Sequence, residues 1–193
     1  GLLMFRAIFK IFLVSLAIFL ANNPAYAKTA SIADIDLFNT GKRLVLYVSL
    51  KDGFSEDVVE AIKSGVPVGI TYTVVLKQKI PILYDKKVVT RTIKRYVKFD
   101  TLKEKYKIID NNGRKTTKRI TEDFNEVVRT MAQLDSIHLI SNKKLNKKEK
   151  YYVNVKAELN SKQTWFPFSY ILLFMSYLNF DTSWKSSSPF TFK

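Results

Sequence analysis

The side chains best suited to catalysis are few in this chain. It has one histidine, His138, and no cysteine, so a cysteine–histidine nucleophilic pair and a cysteine zinc site are both excluded. The six glycines are scattered singly and form no phosphate-binding loop, and no serine lies in a G-x-S-x-G elbow. The adjacent acids at 56–57 and 122–123 suit the first turns of helices. We therefore expect a protein that is not an enzyme and that binds no metal and no cofactor.

Basic side chains are instead concentrated in the middle of the chain, around a predicted hairpin whose turn is Asn-Asn-Gly at 111–113. The candidate binding residues of this hairpin are Lys103, Lys105, Lys107, Arg114 and Lys118. The three lysines alternate along one face of a predicted strand, with Leu102, Tyr106 and Ile108 on the other face. Such a run is typical of a solvated sheet face whose lysines protect an edge from aggregation. The alternative is a basic surface that binds an anionic partner.

A second candidate surface lies in the aromatic tail. The segment from Trp165 to Phe180 is almost wholly apolar or aromatic, yet it is too short for an ordinary membrane span. One interpretation is a helix or strand pair packed on a sheet. The other is a segment at a membrane interface or a partner surface, where aromatic residues are common. The candidate binding residues here are Trp165, Phe166, Phe168 and Trp184.

The elements that must position these residues are mostly strands, because apolar residues recur with period 2 along most of the chain. Predicted strands cover residues 31–38, 44–50, 68–79, 88–99, 102–110, 114–120 and 151–159, with a closing strand near 181–184 and 190–193. One helix is expected to begin at Ser55 and to end at Gly65, before Pro67. A second helix is expected to begin at Thr121, and residues 141–150 are expected to form a basic loop.

This pattern predicts a mainly β (α+β) fold. We expect a β-sandwich-like arrangement or a curved antiparallel sheet, with two short helices inserted between strands. Residues 28–193 are long enough for a single β-rich domain with its own core.

Residues 1–27 have the features of a signal peptide. Arg6 and Lys10 precede a short apolar run at 11–20, and Ala25-Tyr26-Ala27 has the small-x-small pattern of a cleavage site. We expect cleavage near Ala27 and export, with the periplasm as the destination; a retained membrane anchor is the alternative. Without Arg6 and Lys10 the chain has 30 basic and 17 acidic side chains, a net charge of +13. Outside the cytoplasm this charge favours a membrane protein or an anionic lipid surface as partner, and we expect no nucleic acid.

The order of several short motifs is similar to that of a known family. A helix ending in AIKSGVP runs into VGITYTVVL, followed by RYVKFDTLKEKYKI, TEDFNEVVRTM, YYVNVKAEL and a closing FDTSW. This sequence resembles the uncharacterised bacterial exported proteins of domain of unknown function 4390. The Phe99-Asp100 pair, with Leu102 and Tyr106 after it, matches the aromatic-Asp-x-Leu-x-x-x-Tyr segment of the family. The resemblance implies an exported protein without established catalytic residues. It also implies genes beside membrane sensor kinases, which suggests envelope signalling.

Two main functions follow as expectations. The first is an exported, non-catalytic envelope binding module that contacts a membrane protein or an anionic surface through the basic hairpin and the aromatic tail. The second is a periplasmic carrier of a small apolar ligand or lipid, with Tyr72, Tyr96 and Tyr106 near the mouth of its cavity. A hydrolase built on distant carboxylates is a third alternative, which no motif supports.

Overall fold

A computed structural model describes residues 29–159 and 180–191, and within them the chain forms ten strands and two α-helices. The helices are α1 (Glu56–Lys63) and α2 (Phe124–Ala132). The first six strands are β1 (Ser31–Asn39), β2 (Arg43–Lys51), β3 (Val68–Gln78), β4 (Lys86–Asp100), β5 (Lys105–Asn111) and β6 (Thr116–Thr121). The others are β7 (Gln133–Ser141), β8 (Tyr151–Leu159), β9 (Phe180–Asp181) and β10 (Lys185–Ser186). The predicted mainly β fold with two short helices is confirmed.

The strands form two antiparallel sheets. The small sheet has the order β1-β2-β7. The large sheet has the order β10-β8-β3-β4-β5-β6, with β9 also paired to β8. Its centre is the long hairpin of β3 and β4, whose ladder joins Val68 to Val97 at one end and Gln78 to Lys86 at the other. The large sheet is therefore the frame that carries both the basic hairpin and the closing strands.

One hydrophobic core lies between the two sheets and the helices. Alternation correctly predicts the residues that β2, β3 and β8 contribute to it, because one face of each of these strands points inward. From β3 the core receives Val68, Ile70, Tyr72, Val74 and Leu76. From β2 it receives Leu44, Leu46, Val48 and Leu50, and from β8 Tyr151, Val153, Val155, Ala157 and Leu159.

The helix boundaries follow local capping chemistry. Ser55 is the N-cap of α1 and accepts a hydrogen bond from the Val58 amide at 3.4 Å, and Gly65 has φ +84° just beyond the helix, as expected. The expected cap of α2 is wrong by two residues. Thr121 still belongs to β6, where it pairs with Tyr106, so Asp123 caps the helix instead and accepts from the Asn125 amide at 2.8 Å.

Two further sequence interpretations need correction. No strand is predicted directly after the second helix, yet residues 133–141 form β7 and complete the small sheet. The strand expected to begin at Leu102 begins at Lys105, because residues 101–104 form a turn in which Asp100 Oδ1 accepts from the amides of Leu102 and Lys103, both at 3.1 Å. Leu102 is consequently 95% exposed and does not share a buried face with Tyr106.

A buried arginine joins the large sheet to α2 and the small sheet. The side chain of Arg95 on β4 is 6% exposed and bonds to Asp110 Oδ2 on β5, with Nη2 at 3.1 Å and Nε at 3.2 Å. Its Nη1 donates to the carbonyls of Thr130 and Gln133, where α2 ends and β7 begins. Because these carbonyls have no partner within a helix, a cation placed there satisfies them and complements the helix dipole.

Two neighbouring side chains of the large sheet, Tyr72 and Arg91, also donate hydrogen bonds to backbone carbonyls of α2 and β7. The buried Tyr72 hydroxyl donates to the Met131 carbonyl at 2.8 Å, and burial raises the pKa of this tyrosine. Arg91 donates to the Leu139 carbonyl from Nε at 3.2 Å and Nη2 at 2.9 Å, where β7 departs from regular pairing with β2. Side chains of β3 and β4 thus hold the end of α2 and the outer edge of β7.

Several sequence predictions lie outside the described residues. These include the signal peptide, the cleavage site near Ala27, and most of the aromatic tail with Trp165, Phe166 and Phe168. Within the described ranges, neither helix combines the length and apolar character needed to cross a bilayer.

Arg95→Met should lower the free energy of unfolding by about 3 kcal/mol. It leaves Asp110 and two carbonyls without their donor in a mostly buried site, and removing one partner of a buried ion pair typically costs this much. Urea unfolding measures the change.

Arg119→Met is the matched control, because Arg119 makes a 3.1 Å ion pair with Glu126 but its side chain is 61% exposed. We expect a loss of less than about 1 kcal/mol there. Equal losses in the two variants would contradict the role given to Arg95.

Candidate binding surface

The outer face of β4, β5 and β6 is the most basic sheet surface among the described residues. The register places Lys98 opposite Lys107, Tyr96 opposite Ile109, and Lys107 opposite Ile120. Because facing residues in a ladder point to the same side, these residues share one face. We call it the basic face and define it by Lys94, Lys98, Lys105, Lys107 and Lys118.

The charges of this face are incompletely balanced. Lys105 pairs with Glu122 at 3.0 Å, but both side chains are largely exposed, so the pair contributes little to stability. Asp100 lies at the rim opposite Lys105 and accepts amide hydrogen bonds in the following turn. Lys107 lies directly opposite Lys98, and facing like charges destabilise a ladder. The five lysines of the face outnumber its carboxylates, which favours an anionic partner.

Apolar side chains lie between the lysines. Tyr96 and Ile109 are half-buried on this face, and Ile120 is 66% exposed. A groove of about 560 Å³ runs along Tyr96 and Ile109 to the end of α1. Its other lining residues include Lys98, Asp100, Leu102, Lys107 and Gly65. A groove with an apolar floor and lysine walls suits a segment that carries both carboxylates and an apolar side chain.

The five predicted residues of the basic hairpin do not lie together. Lys105, Lys107 and Lys118 belong to the basic face. Lys103 lies in the turn before β5, because its amide is held by Asp100. Arg114 lies in the Asn-Asn-Gly turn, where its amide donates to Asn112 Oδ1 at 3.1 Å, and its side chain turns away toward the small sheet.

Arg114 binds the single histidine. Its Nη1 lies 2.8 Å from His138 Nδ1 on β7, and because an arginine only donates, Nδ1 must accept and the proton of a neutral ring lies on Nε2. Burial, followed by the charges of Arg114 and Arg43, holds the pKa of His138 below its usual value, and the backbone of Ile140 acts in the opposite direction. The contact therefore ties the tip of the β5–β6 hairpin to the small sheet.

The described part of the aromatic tail is remote from the basic face. Trp184 is 49% exposed and lies beside β10, on the β8 edge of the large sheet. Between β8 and β6 lie β3, β4 and β5, so the two edges are about 20 Å apart at the usual strand spacing. On the described residues, Trp184 and the hairpin do not form a single surface.

The three tyrosines expected at the mouth of a ligand cavity are also separated. Tyr72 is fully buried in the core, where it donates to the Met131 carbonyl. Tyr106 is nearly buried between Phe99 and Phe124, at ring-centroid distances of 4.5 and 5.5 Å. Only Tyr96 of the three borders the outer groove. The described core thus places no cavity mouth at these three residues.

The family model for Domain of unknown function (DUF4390) matches residues 27–188 of the chain. The chain belongs to the DUF4390 family. This match confirms the resemblance carried by the sequence motifs and covers all ten described strands. Neither the curated proteins nor the solved structures contain a match.

Sequence reasoning missed part of the basic face in this DUF4390 member. Lys94, Tyr96 and Lys98 alternate along β4, and this period-2 signal was available in the sequence. What the sequence lacked was the register of β4 against β5, which sets Lys98 beside Lys107. Among the described residues, no group of three or more histidine, aspartate or glutamate side chains has the arrangement of a metal site.

Acidification below pH 7 should destabilise the protein in part through His138. Its pKa is lower in the folded chain than the ordinary value of 6.5, so the unfolded chain binds more protons between the two values and stability rises with pH there. The free energy of unfolding should fall as the pH decreases through 6.5, and level off below the folded pKa.

His138→Gln should flatten this part of the profile, which urea unfolding at pH values from 7.5 to 5 would measure. Wild-type and variant profiles of the same slope across this range would show that another group is responsible. The carboxyl groups of Asp85 and Glu126, whose pKa values are lowered by hydrogen bonds, titrate only at more acid pH.

Proposed function

We propose that this protein is an exported, non-catalytic binding module of the cell envelope that recognises an anionic partner through the basic face. The preferred partner is an acidic, partly apolar segment of a membrane protein. Anionic lipid is the second partner that the charge of the face allows. A connection to envelope signalling rests on the family resemblance alone.

The observation that carries the proposal is the combination of lysines and apolar groups on one ordered surface. Lys98 and Lys107 face each other across the ladder beside Tyr96 and Ile109, and the groove that these four residues line is also lined by Leu102. Exposed apolar side chains accompany these lysines: Ile120 on the same sheet face, and Leu102 in the adjacent turn. Exposed apolar residues within a basic surface are typical of a face that is covered by a partner.

The β8 side of the large sheet supports the assignment, because there an outward-facing lysine is paired with carboxylates. On β8 the outward-facing Lys156 is bound to Glu158 at 2.9 Å and to Asp181 at 2.8 Å. These carboxylates raise the pKa of Lys156 and neutralise that part of the sheet. On the outer face of the large sheet, the β8 side is thus closer to neutral than the part formed by β4–β6.

Lys107→Glu with Lys118→Glu should weaken partner binding at least tenfold and leave the fold intact, because both are exposed strand residues that form no ion pair with another described residue. The measurement is crosslinking in cells that produce the tagged protein, followed by affinity purification, mass spectrometry and quantification of the partner. Raising the salt concentration should weaken binding of the wild type.

Lys42→Glu with Lys51→Glu is the charge-matched control, since both residues are exposed and lie at the ends of β2 in the small sheet. This variant should retain the partner. Retention of the partner by the Lys107/Lys118 variant, or its equal loss from both variants, would refute the basic face as the binding site. Recovery of lipid without a protein would change the partner assigned to the face.

A further inference from the structure

The loop between β3 and β4 presents three consecutive apolar side chains to solvent. The relative exposure is 105% for Ile82, 72% for Leu83 and 98% for Tyr84. Single exposed apolar residues are ordinary, but a contiguous group at the tip of a long hairpin is not. We call Ile82, Leu83 and Tyr84 the apolar tip. The sequence indicates only a break here, at Pro81, because proline cannot donate to a ladder.

The base of the loop is fixed by hydrogen bonds. Asp85 accepts from the Ile80 amide at 3.1 Å through Oδ1 and from the Tyr152 hydroxyl at 2.6 Å through Oδ2. These bonds lower the pKa of Asp85, with the tyrosine as the larger cause, and the same bond raises the pKa of Tyr152 to about 12. The Lys79 amide also donates to the Lys150 carbonyl at 2.8 Å. The tip is therefore held on a braced base that joins β3, β4 and β8.

The backbone at the tip is in an unfavourable region. Ile82 has φ +69°, which is rare for a β-branched residue. Because the side chain of Ile82 is fully exposed, contacts with other described residues do not compensate for this unfavourable backbone conformation. Such strain is often found where a loop is shaped for a ligand or a partner.

Lysines surround the apolar tip. Four of them lie on the loop and its flanking strand ends, at 77, 79, 86 and 87, and five more lie in the adjacent segment 142–150 that the Lys79–Lys150 bond joins to the loop. These two segments contain only two carboxylates, Asp85 and Glu149. The net charge of this end of the molecule is therefore about +7.

We propose that this end of the molecule is a membrane-interface anchor. Ile82 and Leu83 enter the boundary between headgroups and acyl chains of an anionic bilayer, and Tyr84 lies at the level of the headgroups. The surrounding lysines contact lipid phosphates while their own methylene stems cover the apolar boundary. An apolar, aromatic and lysine-rich composition is typical of segments that lie in a bilayer interface rather than cross it.

An acidic protein partner explains the tip less well. The three exposed residues lie at the end of a hairpin, and none of them borders the grooves found at α1, beside β1 or along β4 and β5. The anchor is independent of the basic face, because Lys86 and Lys98 are twelve residues apart on one strand, which corresponds to roughly 40 Å. A membrane-bound tip thus leaves the basic face free for its partner.

Vesicle flotation of the full chain tests the anchor. Vesicles of three parts phosphatidylcholine and one part phosphatidylglycerol in 150 mM salt (roughly physiological ionic strength) should bind the wild type. Ile82→Asp with Leu83→Asp should reduce the partition coefficient at least tenfold. The matched control is Phe38→Asp, which makes the same chemical change at an exposed apolar position on the outer face of the small sheet, outside both the apolar tip and the basic face. It should change the coefficient less than about twofold, and circular dichroism should show that both variants are folded.

A second variant reports insertion directly. In Tyr84→Trp the added indole should shift its emission to the blue with anionic vesicles and be quenched by brominated acyl chains, while pure phosphatidylcholine should give a smaller response. The anchor is overturned if the tip and control variants bind vesicles equally, or if the indole at position 84 shows neither shift nor quenching. Neither outcome bears on the Lys107/Lys118 test, so the two proposals fail separately.

Discussion

The arrangement of the two sheets depends on one buried guanidinium. Arg95 lies on the inner face of the large sheet and satisfies the carbonyls of Thr130 and Gln133, where α2 gives way to β7. Its charge is balanced by Asp110, whose Oδ1 is buried without a hydrogen-bond partner among the described residues. A buried cation is stable only when its donors are satisfied, so this site fixes where α2 ends and how β7 lies against β4.

The buried position of Arg95 also explains why the two faces of the β4–β5 hairpin have different roles. Residues of β4 and β5 that face inward, such as Arg95 and Asp110, join the sheets, and Arg114 at the turn reaches His138. The outward residues of the same strands take no part in joining the two sheets, and they carry the basic face. One hairpin thus connects the core on one side and offers a charged surface on the other.

Most of the fold was predictable because it follows from local periodicity. Alternation identified the buried face of β3, and Ser55 and Gly65 bounded α1 through local chemistry. The failure at β7 was long-range, because β7 is a strand through its pairing with β2. The failure at Lys103 was local, because Asp100 accepts its amide hydrogen bond in the turn before β5. Part of the site was predictable. The alternation along β5 places Lys107 on the outer face, whereas its position beside Lys98 depends on the register of β4 against β5.

We propose that the basic face, and not the outer face of the small sheet, binds the partner. Ile120 and Phe38 are comparably exposed apolar residues on these two faces, at 66% and 55%. A photocrosslinking amino acid at each position, activated in living cells, compares the faces directly. The account predicts one dominant adduct from position 120 and none from position 38. An adduct from position 38 with none from position 120 would contradict it.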